Sequence, residues 1–216
     1  MKLLFKELRL AASPLSYFFA AAAFLTFVPG YPILLGAFFT TLGIFYSFQS
    51  MRENNDVGYS LLLPVAKADV VKAKFGFVLV IEGASFAMMT AITLVRMALF
   101  SEAPVYTSNA LMGANGVFLG FALVIFGLYN FVFVRGFFKT GYYFAKPFIV
   151  YCALSLVTIA AAETLRHLPG MEAFGTLGFD HAAVQLASLA VGAALFAILT
   201  AAAVRMSVKT FEKIDL

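Results

Sequence analysis

The chain is poor in the residues on which most enzymes rely. Among 216 residues there is no tryptophan, one cysteine and two histidines, and only 12% are charged. Cys152 can form no intrachain disulfide and, set in an apolar run, reads as a small buried apolar residue. With His167 and His181 the only histidines, and no H-E-x-x-H pair or Cys/His cluster, no metal site is expected. There is no G-x-x-x-x-G-K-[ST] loop to cradle a nucleotide phosphate; "GFFKT" at 136–140 lacks the spacing, so the chain is not expected to hydrolyse ATP itself. A Gly-x-Ser-x-Gly elbow is missing too, so no catalytic residue is assigned and the chain is not read as an enzyme. The few charges also exclude an ordinary soluble domain, which averages about 25% charged residues. Here 62% are hydrophobic and the mean hydropathy is +0.95, the composition of an integral membrane protein. The net charge of +4 is small, and nothing suggests nucleic acid. The start is basic, but Lys6, Glu7 and Arg9 interrupt the place where a signal's apolar region would lie, so no cleavable signal is expected.

What is present is a series of long apolar runs. A helix crosses a bilayer core of roughly 30 Å in about 20 residues. Six segments meet or approach that length, at about 15–29, 31–50, 71–99, 111–134, 147–165 and 182–204, in one transmembrane domain spanning 1–216. No strand-period alternation appears, so the expected fold is all-α, a six-helix membrane bundle. The first segment is short, and "VPGYP" at 28–32 forces a tight reversal that makes the first two a helical hairpin. A re-entrant hairpin that never fully crosses leaves Arg52 on the same side, and the sequence does not separate the two. In the six-span layout all but Arg96 and Arg166 of the 15 Lys and Arg residues fall on one face. The positive-inside rule then puts both termini and the 51–74 loop in the cytoplasm.

Residues 1–13 form their own element. Lys2, Lys6 and Arg9 recur at i, i+4 and i+7, with Leu4, Phe5, Leu8 and Ala12 opposite, a pattern that fits an amphipathic helix in the cytoplasmic interface. The alternative is a frayed basic terminus that only sets topology. Ser13 and Pro14 then supply an N-cap and a first-turn proline for the first span.

Few polar residues lie inside the spans. Glu82, in "LVIEGASF", sits about eight residues, roughly 12 Å, past Lys74, and is the candidate intramembrane polar site. Its other reading is a bundle-facing Glu, neutral and hydrogen-bonded to a neighbouring helix. Asn130 and Gln49 are expected as inter-helix hydrogen-bonders. Gly116 and Gly120 in "GANGVFLGFALVIFG" form a GxxxG pair that would let helices approach closely.

The longest polar interruption, "ENNDVGYSLLLPVAKADVVKAKF" at 53–75, holds the functional signal. Asn54, Asn55 and Asp56 are good N-cap residues, Val57–Leu63 makes about two helical turns, and Pro64 ends them before a second start at Ala68 and Asp69. Leaving those leucines in water is costly, because fully burying one is worth about 1.5–3 kcal/mol. A partner surface or the membrane interface could cover them.

This stretch resembles the permease subunits of ABC-2 type transporters, in particular the small six-span exporters of bacterial peptide toxins such as phenol-soluble modulins. The motif resemblance covers the acidic cap, the "LP" and the "K-x-K" of residues 53–75; the layout resembles the family over the whole chain, including the short polar segment "ETLRHLPGMEAFGTLGFDH" between spans five and six. The resemblance implies that the helix at 53–64 is a cytoplasmic coupling helix between spans two and three, docking in a groove of a separate ABC ATPase subunit. It assigns coupling to Glu53, Asn54, Asn55, Asp56, Tyr59, Leu61, Leu62, Leu63 and Pro64. ATP and Mg would belong to that partner, with no cofactor in this chain. A second permease, identical or related, would complete the pathway in a bacterial plasma membrane. Larger relatives carry an extracellular domain that this chain nearly lacks, which favours a compact cargo. Amphipathic or hydrophobic peptide leads, with lipid or an antibiotic as the alternatives. Two rival readings are an ion-coupled secondary transporter, hinted at by Glu82, and a non-transporting scaffold or immunity protein.

Overall fold

The computed structural model describes residues 2–140 and 143–214, with Lys2 described by its backbone alone. Met1 and the Lys2 side chain, both part of the expected interfacial helix, therefore lie outside the described residues. Among the described residues every regular element is helical. Helix α1 (Lys2–Lys6) runs into a π-helical turn, Glu7–Ala11, and the chain then bends by 90° into α2 (Pro14–Ala20) and its 3-10 continuation, Ala21–Phe27. Ser13 Oγ accepts the Leu15 N–H at 3.3 Å and Pro14 opens the helix, as the sequence suggested. Then follow α3 (Leu35–Glu53), α4 (Asp56–Leu61), α5 (Lys67–Leu99), α6 (Pro104–Thr107) and α7 (Gly116–Leu128). A π-helical stretch, Tyr129–Val134, joins α7 to α8 (Arg135–Thr140); α9 (Ala145–Leu165) and α10 (Ala182–Phe211) complete the chain.

Four rods are long and apolar enough to cross a membrane: Lys67–Leu99, Gly116–Thr140, Ala145–Leu165 and Ala182–Phe211. The shortest has 21 residues, about 31 Å at 1.5 Å per residue. They correspond to the runs at 71–99, 111–134, 147–165 and 182–204. The runs at 15–29 and 31–50 take a different form. The first is the short α2 with its 3-10 extension, part of a bent apolar pair that is a broken span or a re-entrant loop. The second, α3, carries Thr, Ser and Gln and is not among the four rods, and several of its hydroxyls bond to neighbouring helices. Thr40 pairs with Ser85 at 2.7 Å, Thr41 with Tyr151 at 2.6 Å and Ser47 with Ser16 at 2.7 Å, all buried. Each hydroxyl so placed ties two helices where apolar packing alone gives little orientation.

An aromatic core fills the space between α3, the π-helical stretch, α8 and α9. Phe45 stacks on Phe148 with centroids 3.8 Å apart, and Phe48 meets Phe133 and Phe137 edge-on. Away from that core α9 and α10 keep Val157, Leu186, Val191 and Ile198 exposed, the inverse of a soluble surface and the pattern a lipid solvent demands. The glycines expected to let helices approach do so. A Cβ on Gly120 would meet the Ser188 carbonyl oxygen at 2.6 Å, one on Gly116 would meet Gln185 at 2.8 Å, and one on Gly192 would fall on the Gly120 backbone.

The bundle has two polar ends. At one, Lys6 meets Asp56 at 2.5 Å and Lys67 donates to the Ile214 carbonyl at 2.7 Å, so the start of the chain, its end and the 53–67 segment lie together. At the other, Arg96 donates to the Thr26 carbonyl at 2.5 Å with its guanidinium 4.0 Å from the Tyr106 ring centroid. Asn115 there donates to the carbonyls of Phe174 and Thr176 at 3.1 and 3.0 Å. Arg96 and Arg166, the two basic residues that the six-span layout set apart, both belong to this second end, where Arg166 donates to the Leu111 carbonyl.

Candidate functional site

At the first polar end, α4 stands between α3 and α5, and its two faces differ. Val57 and Ser60 point inward and are buried, while Tyr59 is 66% exposed, and Leu62 and Leu63 in the turn that follows are 81% and 48% exposed. The helix is held by charge. Lys74, fully buried on α5, donates to Asp56 at 2.7 Å and to Glu7 at 3.0 Å, with the Met51 sulfur at 3.3 Å. Lys6 closes the ring: it donates to Asp56 at 2.5 Å, Glu7 at 3.3 Å and Ser60 Oγ at 2.7 Å. Two ammoniums thus face two carboxylates, and each charge removed from water has a partner of opposite sign. Buried ions persist only under that condition. The arrangement rivets α1, α4 and α5 to one another, and Leu4 adds an apolar contact where Gly76 leaves room for it on α5.

Several residues occupy places other than those the sequence suggested. Glu53 ends α3, exposed, and accepts from Gln49 of the same helix at 3.0 Å, so Gln49 bonds within its helix rather than across to another. Asn54 follows α3 and donates back to Ser50 at 3.2 Å, serving the end of that helix instead of the start of the next. Asn55 takes a left-handed turn with φ of 50°, and its side chain lies over the first turn of α4, where a Cβ on Gly58 would meet it at 2.8 Å. Asp56 is the first residue of α4, but its carboxylate turns to the two lysines because ammonium donors attract it more strongly than a backbone N–H. Helix α4 ends at Leu61, which packs partly buried against the core, whereas Leu62, Leu63 and Pro64 form the exposed turn.

The N-terminal helix also differs from the amphipathic pattern. Lys6 and Glu7 turn inward to the ion cluster, while Phe5 and Leu10 are 65% and 77% exposed. Lys6, Glu7, Ser60 and Lys74 were not among the expected site residues. One signal was available: Lys74 lies four residues from both Val70 and Val78, on the apolar face of α5, where an unpaired cation is untenable. Its partners, 18 and 67 positions away, could not be read from spacing.

Asp56 carries a testable pH signature. Burial alone would raise its carboxyl, but Lys74 and Lys6 outweigh that and hold it below its ordinary value of 3.8. A carboxylate depressed in the folded state stabilises the fold above its unfolded value, and the contribution is lost as pH falls through the depressed one. Thermal unfolding across an acid series is therefore expected to show a fall below the usual carboxylate range, reduced in Asp56→Asn.

Glu82 is far from this cluster, near the middle of the 33-residue α5, and buried. It accepts a hydrogen bond at 3.0 Å from Asn130, which also donates to Thr200 on α10 at 3.1 Å. Asn130 thus bonds across helices, as expected. Among the described residues no group of three or more His, Cys, Asp or Glu is placed to hold a metal.

No curated protein and no solved structure matches the chain. A family model does, described as ABC-2 family transporter protein, and it matches residues 2–212. With its long apolar helices and nearly full-length match, this multi-pass membrane protein belongs to the ABC-2 family of transporter proteins and is a membrane transport component.

Proposed function

We propose that the chain is the permease of an ATP-driven exporter, moved by a separate ABC ATPase subunit that grips α4 and the turn at Leu62–Pro64. The observation that carries this reading is the asymmetry of α4. Its outward side and the turn that follows it offer Tyr59, Leu62 and Leu63 to a partner, and its inward side is ion-paired through Asp56 to α1 and α5. A force on the exposed side reaches the long α5 through a rigid contact instead of dissipating in a loop. The energy comes from tighter ATP binding in the closed state of the partner; the permease redistributes it. ATP and Mg belong to that subunit, and this chain needs no cofactor.

In this reading α2, α3, α5, the Gly116–Thr140 rod, α9 and α10 are six crossings in one domain, with both termini in the cytoplasm of a bacterial plasma membrane. The grouping of residues 6, 56, 67 and 214 at one end of the bundle supports an even number of crossings. Residues 2–11 lie along the cytoplasmic interface. Two permeases, identical or paired with a related chain, enclose the pathway, and the cargo is an amphipathic or hydrophobic peptide. The resemblance and the 26 phenylalanines support that cargo class.

Leu62→Asp tests the docking. Losing a buried leucine costs about 1.5–3 kcal/mol, so affinity for the ATPase should fall about 10- to 100-fold. Co-purification and ATPase stimulation should fall together, and Glu53→Ala should weaken both less. Unchanged binding and stimulation in both variants would remove the coupling assignment while leaving family membership intact.

A further inference from the structure

The polar contact at Glu82 is incomplete in an informative way. Its Oε2 accepts from Asn130 Nδ2, yet Glu82 Oε1 and Asn130 Oδ1 are both buried and have no hydrogen-bond partner. The two atoms left over from this one pair are both acceptors. An unpaired acceptor at this depth is strongly unfavourable, since no water reaches the hydrocarbon core to satisfy it. Neither does a cation satisfy Glu82: no described ion pair includes it, and Lys74, on the same helix, is engaged by Glu7 and Asp56. Among the described residues no cation of another helix lies within ion-pair distance of it. The Tyr129 phenol, from the segment that carries Asn130 and itself buried without a hydrogen-bond partner, and Tyr151 of α9 are the titratable groups near it, and α10 contributes the Thr200 hydroxyl, with exposed Arg205 five positions on. From α3, Thr40 and Thr41 are occupied by Ser85 and Tyr151.

A single hydrogen resolves both vacant acceptors. Placed on Glu82 Oε1, it makes the carboxyl a neutral acid that can donate to Asn130 Oδ1 while Oε2 keeps the Nδ2–H bond. The result is an acid–amide pair with a donor and an acceptor on each side. A metal ion fits less well, because hard cations demand about six oxygen ligands, and among the described residues only Glu82 Oε1, Asn130 Oδ1 and the Tyr129 hydroxyl are buried here without a partner. Asn130 also lies in the π-helical stretch Tyr129–Val134, a local rearrangement frequent at functional positions. We propose that Glu82 and Asn130 form a proton-binding site in the membrane core, and that the bound proton holds α5, the π-helical stretch and α10 in the packed arrangement seen here. This inference does not depend on the docking of α4.

Infrared difference spectroscopy on the full chain in lipid nanodiscs tests it directly. Wild type minus Glu82→Gln at neutral pH should contain the carbonyl band of a protonated carboxylic acid. In Asn130→Leu the same band should move to higher frequency as its hydrogen bond is lost, a readout that survives if Glu82→Gln fails to fold. The folded chain then holds a proton that the unfolded chain releases, so wild-type stability should fall as pH rises above the ordinary carboxylate range, and less so in Glu82→Gln. A difference spectrum with carboxylate bands alone would overturn the proposal. So would wild-type stability that follows sodium concentration while Glu82→Gln does not, the mark of a cation site.

Discussion

Lys74→Met is expected to destabilise the protein by about 3–5 kcal/mol, the usual cost of leaving a buried charge without its partner. Lys74 is the only fully buried cation of the cluster, and its loss leaves Glu7, 1% exposed, with Lys6 alone at 3.3 Å. Lys6 is 24% exposed and already holds Asp56 at 2.5 Å, so it cannot neutralise both carboxylates. Reversible unfolding in mixed micelles reads the loss directly. A second substitution decides the mechanism: Lys74→Met with Glu7→Met should recover much of the stability, since apolar replacement of a whole buried pair is often neutral. If the double variant is as unstable as the single one, packing of the lysine stem rather than charge balance explains the effect.

Gly192→Val should be comparably severe, for a steric reason. A Cβ at that position falls on the Gly120 backbone, and backbone cannot rotate away as a flexible side chain can. Overpacking typically costs about 1–3 kcal/mol, and this site should reach the upper end or exceed it. Gly120→Val should behave alike, given the Ser188 carbonyl oxygen 2.6 Å from its would-be Cβ. Gly83→Ala is the control: nothing lies within 4 Å of the added methyl, and relief of the glycine penalty in a helix, roughly 0.5–1 kcal/mol, should leave stability unchanged or raised. The same unfolding assay distinguishes the sites, and equal effects at Gly83 and Gly192 would contradict the close approach of α7 and α10.

The four long rods were legible because continuous apolarity is a local property. The start of α5 at Lys67 lies beside the helix start expected at Ala68 and Asp69, ahead of the apolar run at 71–99, with Lys74 accommodated by burial among carboxylates and Lys67 by the Ile214 carbonyl. The first two segments were harder to read, because their polarity is spent on contacts between helices and part of the chain is 3-10. At the candidate site, Tyr59, Leu62 and Leu63 are exposed. The ion cluster beneath it was invisible: Lys6 and Asp56 are 50 residues apart, and only folding brings them together. Glu7, which looked like a mere interruption of a basic apolar start, is a buried member of that cluster.

The proposed coupling role of α4 is tested most directly by a single cysteine at Leu62, with Cys152→Ser as background, crosslinked in membranes that contain the chain together with a candidate ABC ATPase subunit. The account predicts a crosslink to that subunit whose yield changes between nucleotide-free and ATP-bound states. A cysteine that reacts only with lipid-headgroup probes, and never with the ATPase in a transporting assembly, would contradict it.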